Sequence, residues 1–295
     1  MIYSFSTWTL VILVIDLIIA IGAISALRYL QALFAGVNAN HELAQRDNHA
    51  FGVSSAGGVI AIAFIMTGAI SGDISASLFD EVISVVSFTL AGLVMLKLGM
   101  LINDKVLFRE INIKQQVATQ NNAAGVLQAA NLIALGIIIS AAIKWVEGDS
   151  FTSIAIVLLI FLASQIPLLI ITRIRMMVFQ QRNPNTTLQQ SLAGANVALA
   201  VRYSGHIIGA SLAISVSSNI VFYVANDIVS SVLTWLWVSL ALTLALSALA
   251  AVVRMIVLAK VNVAEEVDQQ NNIGVAAIEA VIFDAVSLIM LALFH

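Results

Sequence analysis

Apolar and polar positions alternate along this chain on a coarse scale. Eight apolar runs of about 20 residues or more are separated by short polar segments. They fall at about Trp8–Phe34, Asn48–Ile70, Leu78–Ile102, Asn122–Ile143, Phe151–Val178, Gln189–Ser217, Ile228–Leu258 and Asn272–Phe294. Each is long enough to cross a bilayer as a helix, and a chain with two Pro leaves such helices mostly unbroken. The pattern predicts an all-α, polytopic integral membrane protein. The first run follows no charged leader and is too long for a cleaved signal peptide, so it is expected to remain as a span.

Composition agrees. Hydrophobic residues make up 61% and charged residues 10% of the 295, and mean hydropathy is +1.03. A soluble domain carries about 25% charged residues, so the lipid bilayer is the expected surroundings. A net charge of −3 gives no reason to expect nucleic acid. With no Cys, disulfides and thiolate chemistry are excluded.

The polar segments differ in charge. Those leading from an odd to an even run hold Arg28, Arg46, Lys105, Arg109, Lys114, Arg173, Arg175, Arg182, Arg254 and Lys260. Those leading back hold Asp73, Asp80, Glu81, Glu147, Asp149 and Asp227, with Lys144 the one basic residue. The positive-inside rule puts the odd-to-even segments in the cytoplasm and both termini outside, in the periplasm if the membrane is a bacterial inner one. Trp8, Trp145, Trp235 and Trp237 fall at the outer ends, where an aromatic belt is expected.

A similar stretch opens every even run. NVALAVRYSGHIIG at Asn196 has counterparts at Asn48, Asn122 and Asn272, a recurrence of about 75 residues. Each unit is one odd–even helix pair entering in the same direction, which gives four parallel two-helix repeats. The first and third keep glycine nine positions on (Gly57, Gly205), whereas the second and fourth have Asn131 and Val281 there and an extra Asn (Asn121, Asn271) in front. The chain therefore reads as a duplicated four-helix unit, 1–147 and 148–295.

The pattern of Asn, small residues at alternate positions, Gly, then Gly or Ala resembles the bacterial inner-membrane family called domain of unknown function 350. Asn196, Ala198, Ala200, Gly205 and Gly209 carry it best, followed by Asn48, Ala50, Gly52, Gly57 and Ala61. Asn122 with Ala124, and Asn272 with Gly274 and Ala276, match at the front only. The resemblance spans nearly the whole chain as two tandem copies. It implies a polytopic inner-membrane protein and brings no catalytic residues.

The repeated asparagines Asn48, Asn122, Asn196 and Asn272 sit where N-caps belong. Pseudo-fourfold symmetry would also make them a ring at a cytoplasmic mouth. The pairs Ser54/Gly58, Gly205/Gly209 and Ala276/Ala280 lie four apart and suit close helix packing. Even helices are therefore expected inside and odd helices against lipid.

Charges within the spans are costly, by at least ~2.5–3.5 kcal/mol at the bilayer centre, so they should face the bundle interior and pair. Arg202 and Glu279 both lie about 9–10 Å past their asparagines on the helical rise, which makes them a plausible ion pair. His206 is one turn beyond Arg202, and Asp284 lies beyond the midplane. Asp16 descends from the other side in the first helix, and Gln128 and Asn131 add uncharged polar groups. Together they form either a staggered path for an ion or small solute or a structural lock with His206 satisfied in the core. Gln165 and Pro167 suggest a kink in the fifth helix, and DKVLFREINIKQQVATQ reads as an interfacial amphipathic helix.

HExxH, a glycine-rich phosphate loop and GxSxG are absent, and the four scattered His have no metal-ligand spacing. No enzyme activity, metal or cofactor is expected. Two functions remain: a channel or transporter, or a non-transporting scaffold (for instance an envelope-stress partner) whose cytoplasmic segments dock a cytoplasmic or membrane protein. Four repeats could complete a bundle alone or form part of a homo-oligomer.

Overall fold

A computed structural model describes residues 6–35, 38–72, 75, 77–146 and 151–294, with side chains outside 27–35 and 151. Asp73, Glu147, Asp149 and the Arg28 side chain lie outside the described residues. The long helices are α1 (Thr7–Ala35), α2 (His49–Ala69), α3 (Leu78–Ile102), α5 (Asn122–Trp145), α6 (Phe151–Arg182), α8 (Val197–Ser215), α10 (Ile228–Val257) and α11 (Ile273–Leu293). Short helices α4 (Ile113–Ala118), α7 (Leu188–Ala193) and α9 (Ser217–Ile220) join them, with π-helical turns at His41–Gln45, Asn103–Leu107 and Glu265–Gln269. Among the described residues eight helices are long and apolar enough to cross a membrane. The chain is an all-α, multi-pass membrane protein.

Two boundaries differ from the sequence expectation. The run from Gln189 is not the start of the sixth span: α7 stops, Ala195 takes a left-handed φ of 62°, and α8 begins after Asn196. Nor is DKVLFREINIKQQVATQ one amphipathic helix. It divides into a π turn and α4 because Asn112 caps a new helix, and Leu107, Phe108, Ile111, Ile113 and Val117 are all buried against the bundle. α6 runs unbroken through Pro167.

The entries to α2, α5, α8 and α11 share one local geometry. A connector turn ends on a left-handed residue (Asp47, Gln120, Ala195 or Asn271), and the next residue, an Asn, caps the following helix. Asn48, Asn121, Asn196 and Asn272 accept hydrogen bonds from the amides of Phe51, Ala124, Leu199 and Val275. The second cap is thus Asn121. Asn122 is the exposed first residue of α5.

These caps also stitch neighbouring entries. The Asn48 side-chain amide donates to the Val117 carbonyl at 3.0 Å, that of Asn121 to the Leu192 carbonyl at 2.9 Å, and that of Asn196 to the Val267 carbonyl at 3.3 Å. Asn272 donates instead to Glu266, in its own connector, at 2.8 Å. The stitching runs in one direction and stops at the last entry.

The arrangement is therefore an open row and not the ring that fourfold repetition suggested. α2 packs on α5, α5 on α8 and α8 on α11, while α2 and α11 share no comparable contact among the described residues. Helices α1, α3, α6 and α10 form a second row laid over the first. Small residues set the close spacing within the inner row. A Cβ on Gly57 would lie 2.5 Å from the Ala129 Cα, one on Gly136 2.7 Å from the Ala61 Cα, and one on Gly205 2.2 Å from the Ala280 Cα. α5 and α8, each flanked on both sides, are the most buried spans.

Only part of the expected tryptophan belt exists. Trp8 and Trp237 are exposed, but Trp145 and Trp235 are buried and stack edge-on with centroids 5.2 Å apart. Their indole N–H groups are satisfied inside, on the Val221 carbonyl at 2.6 Å and the Ser164 hydroxyl at 2.9 Å. An indole with an internal partner needs no interface.

Candidate functional site

Arg202, Arg254, Asp268 and Glu279 converge where α6, α8, α10 and α11 meet the last π turn. Capping by Asn196 starts α8 at a fixed level, which places Arg202 six residues in and His206 one turn beyond. Asn272 fixes α11 in the same way and places Glu279. The Arg202 guanidinium lies 2.9 Å from Glu279 through Nε and 2.9 Å from Asp268 through Nη1. Arg254 from α10 reaches the other oxygen of Glu279 at 2.9 Å. The Asn183 amide, just past α6, donates to the second oxygen of Asp268 at 3.1 Å.

Glu279 is fully buried and Arg202 nearly so. Taking such charges out of water costs several kcal/mol per ion, and only close geometry with further hydrogen bonds recovers it. Here each carboxylate has two partners on different elements. The cluster, a clamp in its geometry, ties α8, α10, α11 and the last connector together.

His206 packs its ring edge-on against Phe283 at 4.3 Å, and its Nε2 stands 3.8 Å from Glu279, too far for a hydrogen bond. The Arg175 guanidinium lies over the same Phe283 ring at 4.9 Å. A cavity of about 40 Å³ opens beside them, lined among others by Arg175, Arg182, Arg202, His206 and Asp268. Four guanidiniums thus meet two carboxylates in this region.

The other candidates are dispersed. Asp16 sits on α1, which packs on α2 and α3 at the opposite end of the row, and its neighbour there is the buried Glu81. Asp284 is half-buried on α11, with its Oδ1 lacking a hydrogen-bond partner among the described residues. Gln128 accepts from the Ser54 hydroxyl at 2.8 Å and ties α5 to α2. Asn131 accepts from the Tyr203 hydroxyl at 3.2 Å and ties α5 to α8. Asp16 is therefore not brought to Asp284, and the five charges do not line one continuous path. Among the described residues no group of acidic and His side chains is arranged to hold a metal ion.

The first connector carries a smaller version of the clamp. Glu42 accepts from the Asn48 amide at 2.7 Å and from Arg46 at 2.9 Å, and these partners hold its carboxyl below the usual range.

Sequence reasoning missed Arg254, Arg175 and Asp268 as members of the site. The two arginines had been counted as connector charges. Asp268 carried a signal: it stands where the other connectors have Ala44, Ala118 and Ala193, directly after Leu43, Val117, Leu192 and Val267. A carboxylate where the other three connectors have Ala was the signal that could have found it.

The chain is 28% identical over 272 residues to a UPF0719 transmembrane protein of Aquifex aeolicus (strain VF5), covering 88% of this chain and 91% of that protein. No solved structure matches it. The family model Domain of Unknown Function (DUF350) matches twice in tandem, over residues 5–143 and 149–294. With nearly every residue inside one of these two matches, the chain belongs to the DUF350 family.

Proposed function

We propose that the protein is a non-transporting scaffold of the bacterial inner membrane, with the connectors in the cytoplasm and both termini outside. The observation that carries this reading is the clamp: Arg202, the one cation deep in α8, is held at both ends by Glu279 and Asp268. A charge tied to two elements serves register better than passage. The basic connectors support the orientation, and the exposed Trp8 and Trp237 at the opposite end fit it. The connectors around Ile102–Thr119 and Leu258–Gln270 are the surfaces offered to a partner, either a cytoplasmic or membrane protein or a further copy of the chain.

A channel or transporter for a small ion or solute is the second reading. It draws on Asp284, whose buried oxygen has no partner among the described residues. Flux assays separate the two. Purified protein in proteoliposomes is expected to carry no proton or common-cation flux above empty vesicles. Flux that Asp284→Asn or Glu279→Gln abolishes in a folded protein would overturn the scaffold reading.

A further inference from the structure

The clamp leaves cationic groups over. Arg202 and Arg254 are spent on Glu279 and Asp268, but Arg175 and Arg182 add two further guanidiniums beside the same two carboxylates. The Arg175 Nε is buried with no hydrogen-bond partner among the described residues, and so is Nε2 of His206, a side chain more than nine-tenths buried. A buried guanidinium N–H without an acceptor, as at Arg175, is costly. Both residues line the 40 Å³ cavity, and Arg182 stands exposed at its edge.

We propose that this cavity binds a phosphate group. An excess of guanidinium over carboxylate selects an anion and repels a metal ion. The planar guanidinium fork matches phosphate oxygens. A water needs about 10–15 Å³ of such space, so the cavity has room for about three water-sized groups, which suits phosphate oxygens and excludes a nucleotide. The depth fits as well. Arg182 ends α6, and Arg175 lies about 10 Å further along the helix, so the site reaches from the connector end into the span, where a phosphate at the membrane surface can enter. The phosphate of an anionic phospholipid and free inorganic phosphate share this chemistry. The inference goes beyond the scaffold reading and does not depend on it.

The test uses the full-length protein and follows thermal unfolding with two probes. One is inorganic phosphate against chloride at matched ionic strength in neutral detergent. The other is phosphatidylglycerol-containing nanodiscs against pure phosphatidylcholine ones. The parent and Lys114→Gln, an exposed charge removed on α4, are expected to be stabilised by at least one probe. A response to phosphate alone assigns a free anion, and a response to phosphatidylglycerol assigns a lipid headgroup. Arg175→Gln should weaken the response about tenfold or more in apparent affinity, with Arg175→Lys retaining part of it. Arg182→Gln, at the exposed edge, tests the same site if Arg175→Gln fails to fold. No response of the parent to either probe, or a parental response in both glutamine variants, overturns the proposal.

Discussion

At the scale of single residues, the cap asparagines carry two duties at once. The side-chain oxygen satisfies an amide of the helix it starts, and in the first three the side-chain nitrogen reaches the connector of the next entry. Losing a cap costs typically ~1 kcal/mol and up to about 2, and here an inter-element bond goes with it. Asn121→Ala is therefore expected to destabilise by about 1–2 kcal/mol or more, whereas the exposed Asn122→Ala should change stability by less than about 0.5 kcal/mol. Chemical or thermal unfolding in detergent measures both. The reverse ranking would restore Asn122 as the functional repeat position. Even spacing in the sequence favoured Asn122, and a backbone detail accounts for the difference. The π turns insert one residue, so Leu43 and Val267 stand five residues before their caps while Val117 and Leu192 stand four before theirs.

At the scale of elements, glycine contacts decide how near the inner helices come. A side chain at Gly205 would have to displace the backbone of α11, because Ala280 stands opposite. Gly52 faces only the flexible end of Leu43, at 3.5 Å from where a Cβ would be. Gly205→Ala should therefore destabilise by about 1–3 kcal/mol, as overpacking does. Gly52→Ala should be neutral or gain up to about 1 kcal/mol from helix propensity. Equal effects in unfolding assays would show that α8 and α11 are not in backbone contact. Much of this level was legible in advance. Spans announce themselves because every backbone group must be bonded within lipid, and small residues four apart mark close faces. The sequence did not reveal where a long helix stops: α6 runs past the expected Val178 to Arg182, which keeps Arg182 on the same helix as Arg175 at the edge of the cavity.

At the scale of the molecule, the two rows place the charges unequally. The second half concentrates four arginines and two carboxylates at one end of the inner row, while Asp16 and Glu81 lie at the other. The Arg202–Glu279 pair was readable because both residues stand at matching heights above equivalent caps. The open row was not, since a repeat length says how often a unit recurs and nothing about whether successive units turn enough to close. Asp268 and Arg254 became partners only once the row placed α10 and the last connector against α8 and α11. The central claim is that these charges hold the helices in register. A double-mutant cycle of Arg202→Met and Glu279→Met, read by unfolding in lipid nanodiscs, addresses it most directly. We expect Glu279→Met alone to cost about 3 kcal/mol or more, because it removes the buried carboxylate shared by Arg202 and Arg254. The double variant should recover part of that loss, with a coupling of about 1–3 kcal/mol. Additive effects within about 0.5 kcal/mol would contradict the clamp.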